Sequence, residues 1–107
     1  MAALRNTQLW KGTVSSGSFT TVYTVPAGKL VVVKDINAQH TDSGSAQIIV
    51  GVGGLYLWSV PLTAYGGAGA RVEITPWWAL AAGNVLQVAC STGHHVDMLI
   101  GGSIYFV

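Results

Sequence analysis

Short runs rich in valine, isoleucine, threonine and aromatic residues follow one another from Thr7 to the end of the chain, each closed by a glycine, proline or serine cluster. This punctuation constrains the fold more than any other feature. The runs are "TQLWKGTV" (7–14), "FTTVYTV" (19–25), "LVVVKDINAQH" (30–40), "AQIIVGV" (46–52), "LYLWSVPL" (55–62), "RVEIT" (71–75), "NVLQVACS" (84–91) and "VDMLIGGSIYFV" (96–107). Residues of these types favour extended backbone, and no segment reads as a helix. With no helix to serve as a crossover, the sheets are expected to be antiparallel. The expectation is an all-β chain, an antiparallel β-sandwich of about eight strands, jelly-roll-like. A length of 107 residues suits one domain. Residues 1–18 read as an N-terminal arm or first strand, able to add to a partner's sheet, and residues 19–107 as the sandwich.

Alternation assigns faces within the runs. Trp10, Gly12 and Val14 share one face, with Leu9, Lys11 and Thr13 on the other. In the longest run, Leu30, Val32, Ile36 and Ala38 are expected to share a face that Lys34 interrupts. Val72 and Ile74 point in, Arg71 and Glu73 out. Leu86, Val88 and Cys90 point in together. Pro26 and Gly28 turn the chain in "PAGK", and Gly101-Gly102 is expected to bulge a bent last strand.

Charge is scarce. Half the residues are hydrophobic but only 8% are charged, against about 25% in ordinary globular domains. A folded monomer of this mass exposes roughly 5,700 Å², which five cationic and four anionic side chains cover poorly. Part of that surface is therefore expected to be buried against copies of the chain or another protein. A polar, uncharged surface on a soluble monomer is the alternative. Arg5, Lys11, Lys29, Lys34 and Arg71 are scattered, the wrong pattern for phosphate contacts, so no nucleic-acid partner is expected. No apolar run reaches the roughly 18 residues of a membrane span, and "MAALRNTQLWKG" lacks the apolar core of a secretory signal. One cysteine, Cys90, leaves no internal disulfide and points to synthesis in a reducing compartment.

Two stretches carry a resemblance. "LAAGNVLQV" within "VEITPWWALAAGNVLQVAC" resembles the turn-into-strand segment of tumour-necrosis-factor-type jelly rolls, with Asn84 where those often have Asp. "TVYTVPAGKLVVVKDINAQHTDSGSAQIIVGV" resembles small structural proteins of tailed bacteriophages, in which a "VPAGK" turn feeds a strand and a Ser/Gly/Asp hairpin. Together they span about residues 20–107. The resemblance implies a virion protein made in the host cytoplasm: a capsid decoration (cement) subunit bound to the major capsid protein or another virion protein. It equally admits a small tail or fibre-tip component that binds a host receptor glycan. A homo-oligomer is expected, trimers being common among such jelly rolls.

"TPWWALAAG" (75–83) poses the sharpest local question. In extended backbone Trp77 and Trp78 point to opposite faces, so one closes the sandwich and the other meets a partner. Leu4, Leu9, Trp10, Tyr65, Arg71, Glu73, Trp77 and Trp78 are the expected interface residues. Sugar stacking on the outward tryptophan calls for a neighbouring amide, and Asn84 is the nearest in sequence. No metal or other cofactor is expected. In "TGHHVDM" (92–98), His95 and Asp97 share a face at i, i+2 and are weak metal candidates, since two ligands do not complete a zinc site; His40 or Cys90 could approach only through the fold. A polar turn is the simpler reading. Cys90 reads as a buried small hydrophobe, and no catalytic constellation emerges.

Overall fold

The computed structural model describes residues 3–64, 66–67 and 69–106, with side chains from Thr7 onward. Among the described residues nine strands form: β1 (Ala3–Val14), β2 (Thr20–Thr24), β3 (Lys29–His40), β4 (Ala46–Val52), β5 (Leu55–Leu62), β6 (Arg71–Ile74), β7 (Trp78–Ala81), β8 (Val85–Cys90) and β9 (Val96–Phe106). Among the described residues there is no helix.

Strand pairing is nested in sequence. β4 pairs with β5, β3 with β6 and β7, β2 with β8, and β1 with β9, all antiparallel. The chain is one long antiparallel double ribbon folded over on itself, which is the jelly-roll scheme. Folding the ribbon adds β9 to β3 and β8 to β4. One sheet then runs β1-β9-β3-β6, with β7 also on β3, and the other runs β2-β8-β4-β5. The expected antiparallel sandwich is the observed one. The ninth strand arises because one edge row is broken: β6 pairs with Ile36–Gln39 and β7 with Leu30–Val33. The "WALA" strand was not expected from sequence.

The two sheets bury one apolar core. Val31, Val33, Ile36 and Ala38 of β3 face Ile48 and Val50 of β4 and Leu86 and Val88 of β8, with Met98 and Ile100 of β9 beside them. Truncating such a side chain, for example Leu86→Ala, costs about 2–5 kcal/mol. The faces assigned to β6 and β8 hold: Val72 and Ile74 pack on the core, and Leu86, Val88 and Cys90 are buried.

The faces assigned to β3 and β1 need correction. Val31 and Val33 are buried, then Ile36, Ala38 and His40, so the inward phase switches from odd to even numbers at Lys34. The register shift between Val33 and Asp35 against β9 is the cause: Lys34 is an extra, bulged residue. Leu9 is bulged in the same way between Gln8 and Trp10, so Leu9 enters the core as Val14 does. Gly101 flanks both bulges, with Ile100 at Leu9 and with Gly102 at Lys34, so the extra residues lie on the two flanking strands and not in β9 itself. A Cβ on Gly102 would overlap the Val32 carbonyl oxygen, so only glycine lets β3 come this close. The break between β6 and β7 falls at the same level. The whole sheet is thus bent along one line through Leu9, Gly101, Lys34 and Trp77.

Candidate functional site

The molecule is elongated, 44 × 23 × 18 Å, and its connections collect at two ends. One end carries the β2–β3, β4–β5 and β7–β8 connections, linked by main-chain hydrogen bonds from Val25 N–H to the Asn84 carbonyl and from Gly53 N–H to the Val85 carbonyl. The other carries the β1–β2, β3–β4, β5–β6 and β8–β9 connections, where Cys90 N–H donates to the Ser16 carbonyl, His40 N–H to the Ala70 carbonyl and Thr41 N–H to the His95 carbonyl.

The hairpin end is apolar at its surface. Leu55, Tyr56 and Leu57 begin β5 with 67%, 66% and 41% of their surface exposed. β5 is an edge strand. It contains Pro61, which an edge tolerates, and Leu57 is bulged between Tyr56 and Trp58. Phe19 meets Tyr56 edge to face, ring centroids 5.1 Å apart, and its ring lies over Gly51. Phe106, also exposed, sits under the Lys29 ammonium at 3.9 Å. These are three consecutive exposed large apolar side chains on an open sheet edge, where an edge left in water is normally blunted by charge.

Trp77 and Trp78 divide as expected, one inward and one outward, but not because the pair is extended. Trp78 packs against the core. Trp77 is exposed, and the Lys34 ammonium lies 4.7 Å from its ring. Trp77 also has φ of 55°, the left-handed region that costs a non-glycine residue about 1–2 kcal/mol. That single residue rotates the chain between β6 and β7 opposite the Lys34 bulge. Asn84 does not reach toward a ligand beside it: its side-chain oxygen accepts from Ala81 N–H at 2.9 Å and closes the β7–β8 turn.

The other end is polar and holds a side-chain cluster that sequence reasoning did not assemble. His40, the last residue of β3, is fully buried. Its Nδ1 is 2.9 Å from the Thr63 carbonyl oxygen and its Nε2 is 3.2 Å from His94 Nδ1. Asp42 accepts hydrogen bonds from the main-chain N–H of His95 and from His95 Nδ1, the latter at 3.0 Å. The His95 ring holds the Asp42 carboxyl below its ordinary range, chiefly through that side-chain hydrogen bond. The ligand atoms of His40, Asp42 and His94 all lie within 4.8 Å of one another.

The metal candidates read from sequence are not the residues the fold gathers. Asp97 accepts from Thr13 Oγ1 at 2.7 Å across the β1–β9 ladder, and His95 is paired with Asp42. The adjacent His94 joins His40 instead. Cys90 lies beside this cluster, its Sγ 3.5 Å from the His94 carbonyl oxygen. Burial first, and the negative Asp42 second, push its thiol up, which suits a packed hydrophobe.

Of the expected interface residues, Arg71, Glu73 and Trp77 are exposed. Leu9 belongs to this chain's own core, and Trp10 and Trp78 pack against it. These three side chains are engaged within the fold, because the Leu9 bulge and the β7 pairing direct them there. The side chain of Leu4, and Tyr65 entirely, lie outside the described residues. From Ala3 the segment read as an arm or first strand is an edge strand paired with β9. Sequence reasoning missed Leu55, Tyr56 and Leu57; the signal was three large apolar residues in succession beside a Gly-Gly turn. Comparison with models of known protein families and with curated proteins gives no match.

Proposed function

We propose that this chain is a non-enzymatic structural subunit of a bacteriophage virion, decorating and stabilising the capsid by packing across shell subunits. The observation that carries the reading is the β5 edge: Leu55, Tyr56 and Leu57 exposed in succession beside Phe19. Scarce charge supports it, since nine charged side chains in 107 residues leave most of the surface neutral. The likeness of residues 21–52 to small phage structural proteins supports the virion context, and the jelly-roll pairing is compatible with it. The mechanism is burial, not chemistry. Apolar area removed from water contributes about 25 cal/mol per Å². Several hundred Å² at β5 would then contribute roughly 5–10 kcal/mol before the cost of association. Repetition over a lattice multiplies that gain.

A tail-tip subunit that binds a glycan is the second reading, and the exposed ring of Trp77 favours it. Against it, Lys34 already lies over that ring and Asn84 closes a turn. The deciding experiment is quantitative mass spectrometry of purified particles of the virus that encodes the chain. Copies in simple proportion to the major shell protein support the decoration reading. A handful of copies per particle moves the protein to the tail and brings the glycan reading forward. Absence from the particle overturns both.

A further inference from the structure

We propose that His40 Nε2, His94 Nδ1 and the carboxylate of Asp42 form a binding site for one divalent transition-metal ion of the zinc class. The inference is independent of the virion reading, because it rests on side chains at the opposite end of the molecule from Leu55, Tyr56 and Leu57.

The donor set comes first. Two imidazoles and a carboxylate suit zinc and its neighbours in the first transition row, and three protein ligands leave a fourth position open. The carboxylate brings a negative charge to the ion. His94 and Asp42 are each partly exposed, so the ion has a path from solvent and the open position can take water or a donor from another chain.

The buried histidine is oriented as a ligand. The Thr63 carbonyl can only accept, so His40 Nδ1 carries the proton in that 2.9 Å hydrogen bond. In its neutral form the ring then presents a lone pair at Nε2. Metal-ligating histidines are held in this way, one ring nitrogen donating to a carbonyl or carboxylate while the other faces the ion. Without an ion, His94 Nδ1 must carry the proton between the two rings. With an ion, that proton moves to the other nitrogen of His94, and both facing lone pairs become ligands with no net release from the pair.

The spacing fits. Two imidazole nitrogens bound to one tetrahedral zinc stand about 3.3 Å apart, with ring centroids about 5.2 Å apart. The observed separations are 3.2 Å and 5.1 Å. A straight N–H···N hydrogen bond of this length would set the centroids about 5.5 Å apart. The rings are therefore not collinear across that contact, as a shared ion also requires. The carboxylate needs at most about 1.5 Å of closure to reach the same ion, and it is carried on the exposed β3–β4 connection. His95 is a positioning residue: it fixes Asp42 by its main-chain N–H and its ring.

The test uses the tag-free full chain, stripped with EDTA and dialysed, titrated near neutral pH with Zn2+ by calorimetry and with Co2+ by visible absorption. The expected result is one ion per chain at micromolar affinity or better, the absorption intensity of four-coordinate Co2+, and a Zn2+-dependent rise in Tm. His94→Gln and Asp42→Asn should each weaken Zn2+ binding by more than roughly tenfold, and His95→Gln should weaken it less. The melting of all three variants in EDTA, compared with wild type, separates lost binding from lost folding. The proposal is overturned if wild type shows neither binding heat nor a Tm rise at about 100 µM Zn2+. It is equally overturned if folded His94→Gln and Asp42→Asn bind as wild type does, which would place the ion elsewhere.

Discussion

The two ends of the sandwich are built from the same kind of element, short connections between antiparallel strands, yet they solve opposite problems. At the histidine end, side chains hold the connections: His40 on the Thr63 carbonyl, Asp42 on His95, Thr41 Oγ1 on the His95 carbonyl at 3.0 Å, and Ser91 Oγ under the Gln47 N–H at 2.9 Å. At the hairpin end, side chains close two turns, Asn84 Oδ1 accepting from Ala81 N–H and Gln87 Oε1 from Gly54 N–H, but the large side chains face outward: Leu55, Tyr56, Leu57 and Phe106. The contrast teaches that polarity here marks what the chain holds together by itself; on the proposed function, apolarity at the surface marks what it leaves for another molecule.

The contrast can be broken by substitution. The largest effect is expected at His40. His40→Ala leaves a cavity and strips the Thr63 carbonyl and His94 of a buried partner, and should cost about 3 kcal/mol in urea unfolding. At the opposite end, Asn84→Ala removes one turn hydrogen bond, to Ala81 N–H, and should cost about 1 kcal/mol in the same assay. Leu55→Ser with Leu57→Ser should change stability by less than about 0.5 kcal/mol, while sharply reducing the chain's incorporation into particles, read by mass spectrometry. If that double variant unfolds as readily as His40→Ala, the outward side chains are structural and the contrast fails.

The smallest effect sharpens the polar end. The folded-state pKa of Asp42 is depressed by its hydrogen bond to His95. The pair therefore stabilises the fold above the ordinary carboxylate range, and that contribution is lost as pH falls below about 4, through the folded value. With EDTA present, Asp42→Asn should flatten the acid limb of the Tm–pH curve and leave the neutral Tm nearly unchanged, because the pair is partly exposed.

Strand identity was legible because residue type and turn punctuation are local. The inward sets of β6 and β8 followed from alternation alone. The inward set of β3 did not, because the Lys34 bulge is dictated by β9, where Gly102 brings the Val32 carbonyl close. The local sign within residues 30–40 is Lys34, a charge that interrupts the expected apolar face. β7 was missed for a related reason: four residues after Pro76 are too few for a period, and Trp77 at positive φ starts them. Separation in sequence hid the histidine cluster. The readable spacing was His95 and Asp97, but β1 supplies Thr13 to Asp97, and the β3–β4 connection supplies Asp42 to His95. His40 and His94 lie 54 residues apart, and only the nested pairing of the jelly roll brings them together.

The central claim, that the β5 edge is covered in the assembled state, is tested most directly by hydrogen exchange. The amides of Leu55–Trp58 would be followed in the free chain and in the purified particle. The account predicts fast exchange of the outward-facing amides in the free chain and at least roughly tenfold protection in the particle, with the histidine end unchanged. Equal exchange at β5 in both states would contradict it.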